Sequence, residues 1–376
     1  MKNNLHILID GRPFTASSAG ISTFLEGSVA AWARECPHDT FIIALPKPVH
    51  DTFSREGFPQ NVTLAEHSNW LFRQLPNLVW LLIMMPILAR KYKTDIYYSP
   101  LPCLPFLLPR RIKKILVVHD VVNIEYQKTM QWTNILANKL LFFRSVKKAD
   151  FIWTNSLYTK SKVELYFPKR KCMDIYTGCA VDRNIYRPIL LSDEEKTEIL
   201  QKYNINPPFM LFVGSLEPRK NLSFLLSLMP ELYQRQHLQL VVVGGKGWKS
   251  SSIRDIVETS GYPTQSTVFC GFVPNEDLAK LYNLASCFVS ASLNEGFGMP
   301  QLEALLCGCP IVTAHNSAMI EIAQGKNGAT TIEGYDIQQW IDTILQVANT
   351  RPAVNPLQLV YYDWNVILKD FITHRL

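Results

Sequence analysis

Residues 286–313 read SCFVSASLNEGFGMPQLEALLCGCPIVT, and this stretch carries the clearest structural pattern in the chain. Short apolar runs at 288–291 and 309–313 predict two buried strands. Between them, a turn-rich segment precedes Pro300, which suits the first turn of a helix because that turn does not need its missing N–H. Gly308 stands where a glycine would end the helix. The stretch therefore predicts a strand, a glycine loop, a helix and a second strand.

Two glutamates bracket the glycine loop. Glu295 comes just before Gly296 and Gly298, and Glu303 is expected in the first turn of the helix. A helix N-terminus offers unpaired N–H groups and partial positive charge, so an anionic group can bind there. An ionised carboxylate in that turn can accept hydrogen bonds from a sugar diol. The pattern suits a phosphorylated sugar, although Glu303 could equally complement the helix dipole and the glycines could only shape a turn.

Two further positions follow predicted strands, where α/β sheets place their ligand groups. His119 ends the apolar strand 115–118, and Arg219 and Lys220 lie in the turn between the strand 209–213 and an apolar helix. Arginine and lysine at such a turn can bind phosphate. A single histidine is often structural and an Arg–Lys pair is often only solvated, so the residues by themselves leave both alternatives open.

The segment EGFGMPQLEALLCGCPIV, in which seven residues separate Glu295 from Glu303, resembles the group 1 glycosyltransferases (glycosyltransferase family 4). The resemblance extends over nearly the whole chain and is strongest from 209 to 313. It implies an α/β fold of GT-B architecture, in which two Rossmann-like, doubly wound domains face each other across a cleft. It also implies a retaining enzyme that transfers a sugar from a nucleotide donor to an acceptor.

The same resemblance predicts how the chain divides. Residues 1–188 are expected to form the N-terminal acceptor-binding domain, and residues 207–350 the C-terminal nucleotide-sugar-binding domain. The C-terminal helix, within 357–376, is expected to pack back on the first domain. Between the domains lie an acidic, helix-like stretch and the pair Pro207-Pro208, which interrupts the pattern.

The resemblance also assigns roles to particular residues. Lys220, and with it Arg219, is expected to bind the donor diphosphate. Glu295 would bind hydroxyls of the donor sugar, Glu303 the ribose diol, and His119 a sugar hydroxyl from the opposite domain. The predicted catalytic residues are His119, Lys220 and Glu295. The predicted donor-binding residues are Gly20, Arg219, Lys220, Gly271, Phe272, Val273, Glu295, Gly296, Phe297, Gly298 and Glu303.

The basic turn EPRKN at 217–221 resembles that of a bacterial mannosyltransferase subgroup, so GDP-mannose is the predicted donor, with UDP- and dTDP-sugars left open. The chain departs from the family at Ser215, where an arginine is common, and Arg219 is expected to replace it. The family often has a basic residue soon after the glycine that corresponds to Gly20. This chain has Ser22 in that region instead.

Charge is divided unevenly along the chain. The net charge is +6, but residues 1–188 contain 25 Lys+Arg against 14 Asp+Glu, whereas the remainder contains 13 against 18. A basic N-terminal half suggests an anionic partner such as a membrane surface, and no accompanying motif indicates nucleic acid. The apolar segment 70–93 could be interfacial or an ordinary buried helix, and its apolar centre at 78–89 is too short to span a bilayer. We predict a cytoplasmic protein, peripheral on the inner membrane face, whose glycan acceptor is lipid-linked in O-antigen or capsule synthesis.

No metal or cofactor is expected. The eight cysteines are scattered and form no paired zinc-binding motif with histidines, so Cys307 and Cys309 are expected to pack, in a reducing compartment. The sequence contains no Asp-x-Asp triplet, and the first loop lacks a complete GxGxxG. The nucleotide sugar would be a substrate, and cations and helix N-termini would stabilise its leaving diphosphate.

Two other functions compete with this interpretation. One is a related enzyme such as a nucleotide-sugar epimerase or a phosphorylase, although no cofactor-bearing lysine motif supports a phosphorylase. The other is a protein without catalytic activity that binds an anionic polymer through its basic half. Incubation with donor alone would reveal an epimerase, and salt-sensitive binding without turnover would indicate the binding protein.

Overall fold

The computed structural model describes residues 4–15, 19–50, 53, 57–67, 76–121, 132–168, 175–245 and 265–375. The chain forms two compact units. Unit 1 consists of Met1–Val181 and Tyr362–Leu376, and unit 2 consists of Asp182–Tyr361.

Unit 1 contains, in its described residues, a seven-stranded parallel sheet with the order β3-β2-β1-β4-β5-β6-β7. Apolar strands buried on both faces are what a parallel sheet covered by helices requires. The elements are β1 His6–Asp10, α1 Ala19–Glu35, β2 Thr40–Leu45, β3 Val62–Glu66, α2 Asn77–Lys91, β4 Ile96–Ser99, β5 Lys113–Val118, α3 Trp132–Lys148, β6 Phe151–Thr154, α4 Leu157–Tyr166 and β7 Ile175–Thr177.

Unit 2 contains, again over its described part, a six-stranded parallel sheet with the order β10-β9-β8-β11-β12-β13. Its elements are α5 Asp193–Lys202, β8 Phe209–Val213, α6 Leu222–Gln236, β9 Gln239–Val243, β10 Thr267–Gly271, α7 Asn275–Leu284, β11 Cys287–Ser290, α8 Met299–Leu306, β12 Ile311–Ala314, α9 Ser317–Ala323, β13 Ala329–Ile332 and α10 Ile337–Thr350. The last helix of the chain, α11 Trp364–Arg375, belongs to unit 1.

The boundary of unit 1 lies at Val181 and not at residue 188, and α5 belongs to unit 2. Hydrogen bonds explain this difference from the predicted boundary. The Ile189 N–H donates to Asn283 Oδ1 at 2.8 Å, and the Tyr203 hydroxyl donates to Asp277 Oδ2 at 2.7 Å. Both acceptors lie on α7, so the segment between the two predicted domains is fixed to a helix of unit 2.

Helix α11 packs on unit 1 through aromatic contacts. Phe371 lies 4.6 Å from Trp153, and Trp364 lies 5.1 Å from Phe24, both measured between ring centroids. Gly27 on α1 lies against Trp364, and a Cβ at this position would overlap the indole ring. Close packing here therefore depends on the missing side chain.

The apolar segment predicted at 70–93 is described only from residue 76. Its helix α2 buries Trp80, Met85 and Leu88 in the core of unit 1, while Ile83 and Ile87 are about half exposed. Most of the apolar character is therefore core packing. Across the described residues, none of the helices combines the length and hydropathy that a membrane span requires.

Candidate functional site

The strand order in unit 2 reverses between β8 and β11, which is where open parallel sheets bind ligands. The loop after β8 contains the 3-10 turn Pro218–Lys220. The loop after β11 approaches it, and the Leu293 N–H donates to the Arg219 carbonyl at 2.9 Å. The basic turn and the glutamate loop, far apart in sequence, therefore lie side by side.

Glu295 forms ion pairs with both predicted basic residues, and we call the three residues the ion cluster. Lys220 Nζ is 2.6 Å from Glu295 Oε1, and Arg219 Nη1 is 3.0 Å from Oε2. Burial alone would raise the pKa of Glu295, which is 7% exposed. The charges of Lys220 and Arg219, with hydrogen bonds from Lys220 and Ser292, outweigh burial and lower that pKa to about 2. Glu295 is therefore ionised at neutral pH.

The Arg219 side chain makes more contacts within unit 2 than the Lys220 side chain does. Arg219 Nη1 also donates to the Asn294 carbonyl at 2.5 Å, and Nη2 lies 3.6 Å from Glu217 Oε2. These contacts tie the basic turn to the segment that carries Glu295. Arg219 therefore positions the loop that carries Glu295. Lys220 makes fewer contacts than Arg219.

A narrow pocket, with room for about one water molecule, lies beside the ion cluster. Its lining includes Lys220, Glu295, Gly298, Pro300 and Gln301. Gly298 has φ of +98°, a backbone conformation that favours glycine, and it leads directly into α8. The ammonium of Lys220 and the partial positive charge at the start of α8 therefore act on the same pocket.

Glu303 lies in the second turn of α8, not in the first turn as predicted, because the helix begins at Met299. Its side chain is 6% exposed, and its Oε2 accepts a hydrogen bond of 3.0 Å from the Tyr282 hydroxyl. Burial raises the pKa of Glu303 to about 7, and the Tyr282 hydrogen bond only partly opposes this. The Glu303 carboxyl, expected to be ionised, therefore titrates near neutral pH.

Of the predicted donor-binding residues 271–273, one has an exposed side chain. Phe272 is 58% exposed and offers a ring face, whereas Val273 is buried in the core. Gly271 ends β10 with φ of +68°. Phe297, in the glycine loop, is also buried, and Gly296 precedes it. The side chains of Val273 and Phe297 therefore present little surface to a ligand.

The predicted residues of unit 1 lie at the carboxyl ends of strands or at the start of α1. His119 follows β5, and its Nε2 donates to the Pro100 carbonyl at 2.9 Å. Burial lowers the pKa of His119 to about 4, so the imidazole is neutral and its Nδ1 is an acceptor. Gly20 is exposed in the first turn of α1.

Several polar residues that the sequence analysis did not single out surround these sites. Asn155 directly follows β6, whose last residue Thr154 pairs with Val118 of β5, and its Oδ1 is buried with no hydrogen-bond partner in the described residues. Gln301 Nε2 donates to the Met319 carbonyl at 2.8 Å, and its Oε1 likewise has no partner in the described part of the chain. The sequence signal that could have identified Asn155 and Gln301 is a side-chain amide at the end of a strand or at the start of a helix. Tyr282 could not be identified from the sequence, because an aromatic residue on the apolar face of an amphipathic helix usually only packs in the core.

Cys307 and Cys309 are buried, in agreement with the expectation that they pack. Within the described ranges, no group of three or more His, Cys, Asp or Glu residues has a metal-binding arrangement. The absence of a metal in the reaction stays a prediction.

Residues 195–357, somewhat less than half of the chain, match the family Glycosyl transferases group 1, which is the family that the sequence resembles. Over 240 residues the chain is 31% identical to the O-antigen chain mannosyltransferase B of Escherichia coli, an alignment that covers 62% of this chain and 60% of that protein. The chain thus matches less than two thirds of that relative's length.

Solved structures with the same fold cover almost the entire chain. HepE of Anabaena, in complex with UDP-glucose, has a TM-score of 0.73 at 15% identity and covers 98% of this chain and 99% of its own. WaaG, a glycosyltransferase involved in lipopolysaccharide biosynthesis, has a TM-score of 0.65 at 14% identity and covers 98% and 95%. The predicted α/β fold of GT-B type is confirmed.

Proposed function

We propose that this chain, whose residues 195–357 belong to the group 1 glycosyl transferases, moves a sugar from a nucleotide donor to a glycan acceptor in bacterial surface polysaccharide synthesis. The observation that carries the proposal is the ion cluster of Lys220, Arg219 and Glu295 at the switch point of the unit 2 sheet. A nucleotide sugar contains a diphosphate and several hydroxyls, and the cluster offers cations for the first and a carboxylate for the second. The similarity to an O-antigen mannosyltransferase supports the polysaccharide assignment.

Lys220 would stabilise the departing diphosphate. Cleavage of the sugar–phosphate bond builds negative charge on the leaving oxygen, and a fixed cation in a partly buried site lowers the energy of that state. Lys220 is 14% exposed and borders the pocket at the start of α8. The ammonium and the oriented N–H groups would act on the same charge, without a divalent metal.

Glu295 would bind the donor sugar while remaining paired with the cations. A carboxylate has about four acceptor positions, so its oxygens can accept bonds from Lys220, Arg219 and sugar hydroxyls together. Its low pKa keeps it ionised during turnover. We propose that transfer retains the anomeric configuration by front-face attack assisted by the leaving phosphate, with His119 binding a sugar hydroxyl.

The donor we propose is GDP-mannose, supported by the basic turn at 217–221 and by the mannosyltransferase relative. Calorimetry with GDP, UDP and dTDP tests the base, and product analysis with the matching nucleotide sugars tests the sugar. Tighter binding of UDP or dTDP than of GDP would contradict this donor. Conversion of the donor in the absence of any acceptor would instead indicate an epimerase.

Substitution of Lys220 tests the catalytic role. Lys220→Ala should lower turnover by about 10²–10³, because it removes a charge-assisted contact to the transition state. Lys202→Ala is the matched control, since Lys202 pairs with Asp277 at the surface of unit 2, 2.7 Å away. Near-normal turnover in Lys220→Ala would overturn the proposed mechanism, as would loss of activity in EDTA that Mg²⁺ or Mn²⁺ restores. NMR of the product linkage tests retention.

We further propose that unit 1 binds the inner membrane surface, where a lipid-linked acceptor would be found. Phe106 and Leu107 are 49% and 69% exposed, and the Arg144 guanidinium stacks on Phe106 at 4.3 Å. Lys148 is exposed on the same helix as Arg144. Exposed apolar rings beside basic groups are typical of surfaces that enter anionic headgroups.

Vesicle flotation tests this membrane contact. The protein should bind vesicles of anionic phospholipid at low salt and dissociate as salt rises, since screening weakens the attraction. Phe106→Asp with Leu107→Asp should abolish flotation. Leu190→Asp, at a fully exposed leucine of unit 2, should not. Equal flotation of all variants, or none by the unaltered protein, would contradict the proposal.

A further inference from the structure

The Glu303 carboxylate is held by a residue outside the sequence motif. Tyr282, on α7, is fully buried and donates its hydroxyl to Glu303 Oε2 at 3.0 Å. Glu303 Oε1 has no hydrogen bond to the described residues, and 6% of the Glu303 side chain is exposed. One carboxylate oxygen is therefore anchored from inside the fold, and the other remains available for a ligand.

The family resemblance assigns the ribose diol to Glu303, and we propose that Tyr282 is the positioning residue that orients the Glu303 carboxylate for this contact. The inference rests on the proposed function, in which unit 2 binds a nucleotide. A hydrogen bond that fixes one oxygen restricts rotation of the carboxylate, so less freedom is lost when a diol binds. A hydrogen bond donated by the phenol stabilises the ionised carboxylate more than the neutral acid. The same bond therefore favours the charged form of Glu303.

The surroundings of Glu303 make this single bond important. The titratable groups that face it are Tyr282 on α7, Tyr186 on the segment before α5, and Cys307 on α8. Burial raises the pKa of all three, so they stay protonated and neutral, and neither a phenol nor a thiol can supply a positive charge. Glu276 and Asp182, near Tyr186, add only negative charge. The Tyr282 hydroxyl is therefore the group that favours an ionised Glu303.

The proposal predicts a specific pH dependence of nucleotide affinity. The pKa of Glu303 is about 7, so GDP or UDP should bind more tightly as the pH rises through neutrality. The terminal phosphate of these probes also titrates near neutral pH, so their 2′,3′-dideoxy forms are the control. Calorimetry from roughly pH 6 to 9 should show a ratio of ribonucleotide to dideoxynucleotide affinity that rises with pH, with a midpoint near 7.

Tyr282→Phe should move that midpoint to higher pH, because it removes the bond that lowers the pKa of Glu303. Below both midpoints, each unit of displacement weakens ribonucleotide binding by about tenfold. Tyr186→Phe is the matched control, since the Tyr186 hydroxyl donates to Asn275 Oδ1 at 3.2 Å and not to Glu303. Glu303→Gln should abolish the pH dependence of the ratio, because the amide does not titrate in this range.

The outcomes separate the inference from the function on which it rests. If neither GDP nor UDP binds the unaltered protein at any pH, the proposed function fails. If they bind but the affinity ratio is independent of pH, or if the midpoint is the same in Tyr282→Phe as in the unaltered protein, the role of Tyr282 is refuted. Should Tyr282→Phe not fold, the pH-independent ratio expected of Glu303→Gln still tests the diol contact.

Discussion

Replacing Glu303 by glutamine is expected to stabilise unit 2 at alkaline pH. Burial raises the pKa of this carboxyl from 4.5 to about 7. Since the folded protein then holds the proton more tightly than the unfolded chain, stability falls as the pH rises from 4.5 to about 7. The loss is on the order of 3 kcal/mol, because one pKa unit corresponds to about 1.4 kcal/mol. Glutamine carries no charge and can still accept the Tyr282 hydrogen bond.

Hydrogen exchange of peptides from β11 and α8, corrected for the intrinsic pH dependence of exchange, measures this effect locally. The stability gained by Glu303→Gln should be larger at pH 8 than at pH 5, by about 2–3 kcal/mol. Glu333→Gln is the matched control, because Glu333 is 86% exposed and its charge costs little. An equal effect of Glu303→Gln at both pH values would refute the assignment of a protonatable buried carboxyl.

Three further perturbations test other parts of the structure. Glu295→Gln should destabilise unit 2 at pH 7 by roughly 3 kcal/mol, because the pKa of Glu295 is lowered to about 2 in the folded protein. The ionised carboxylate contributes this stability above pH 4.5, and the contribution disappears as the pH falls toward 2. Urea unfolding at several pH values measures the effect. Gly27→Ala should destabilise unit 1 by about 1–3 kcal/mol because the added methyl overlaps Trp364, and a rise in the melting temperature of unit 1 would contradict that packing. His119 should remain neutral above about pH 5.5, because burial lowers its pKa to about 4, so nitrogen NMR shifts typical of imidazolium at pH 6 would contradict its placement.

The local elements around the central stretch could be predicted because their signals are local. The apolar run before the glycines became β11, the helix began next to Pro300, and Gly308 took the left-handed conformation at its end. The turn of the helix that carries Glu303 could not be fixed, since helix starts vary by one or two residues. That small error placed Glu303 in the first turn, whereas it lies buried in the second turn, where burial raises the pKa of its carboxyl to about 7.

The unit boundary and the apolar segment were harder for a different reason. The stretch before Phe209 is acidic and contains two prolines, which is typical of a linker, but its contacts are with α7, far along the chain. Helix α2 is apolar nearly all round, and composition could not separate a buried helix from an interfacial one. In both cases the deciding interactions are tertiary and leave no trace in local pattern.

Glu295 and Glu303 show why the chemistry of a motif needs the fold. The two residues are the same amino acid, both are more than nine-tenths buried, and burial raises the pKa of each. Strand order brings Lys220 and Arg219 to Glu295, whereas Glu303 receives a single phenolic hydroxyl from Tyr282. Two cations outweigh the desolvation penalty and one neutral donor does not, so one carboxylate is permanently charged and the other titrates near neutral pH. The seven-residue spacing identifies Glu295 and Glu303 as a pair, but the fold decides which groups surround each carboxyl and therefore the pKa of each.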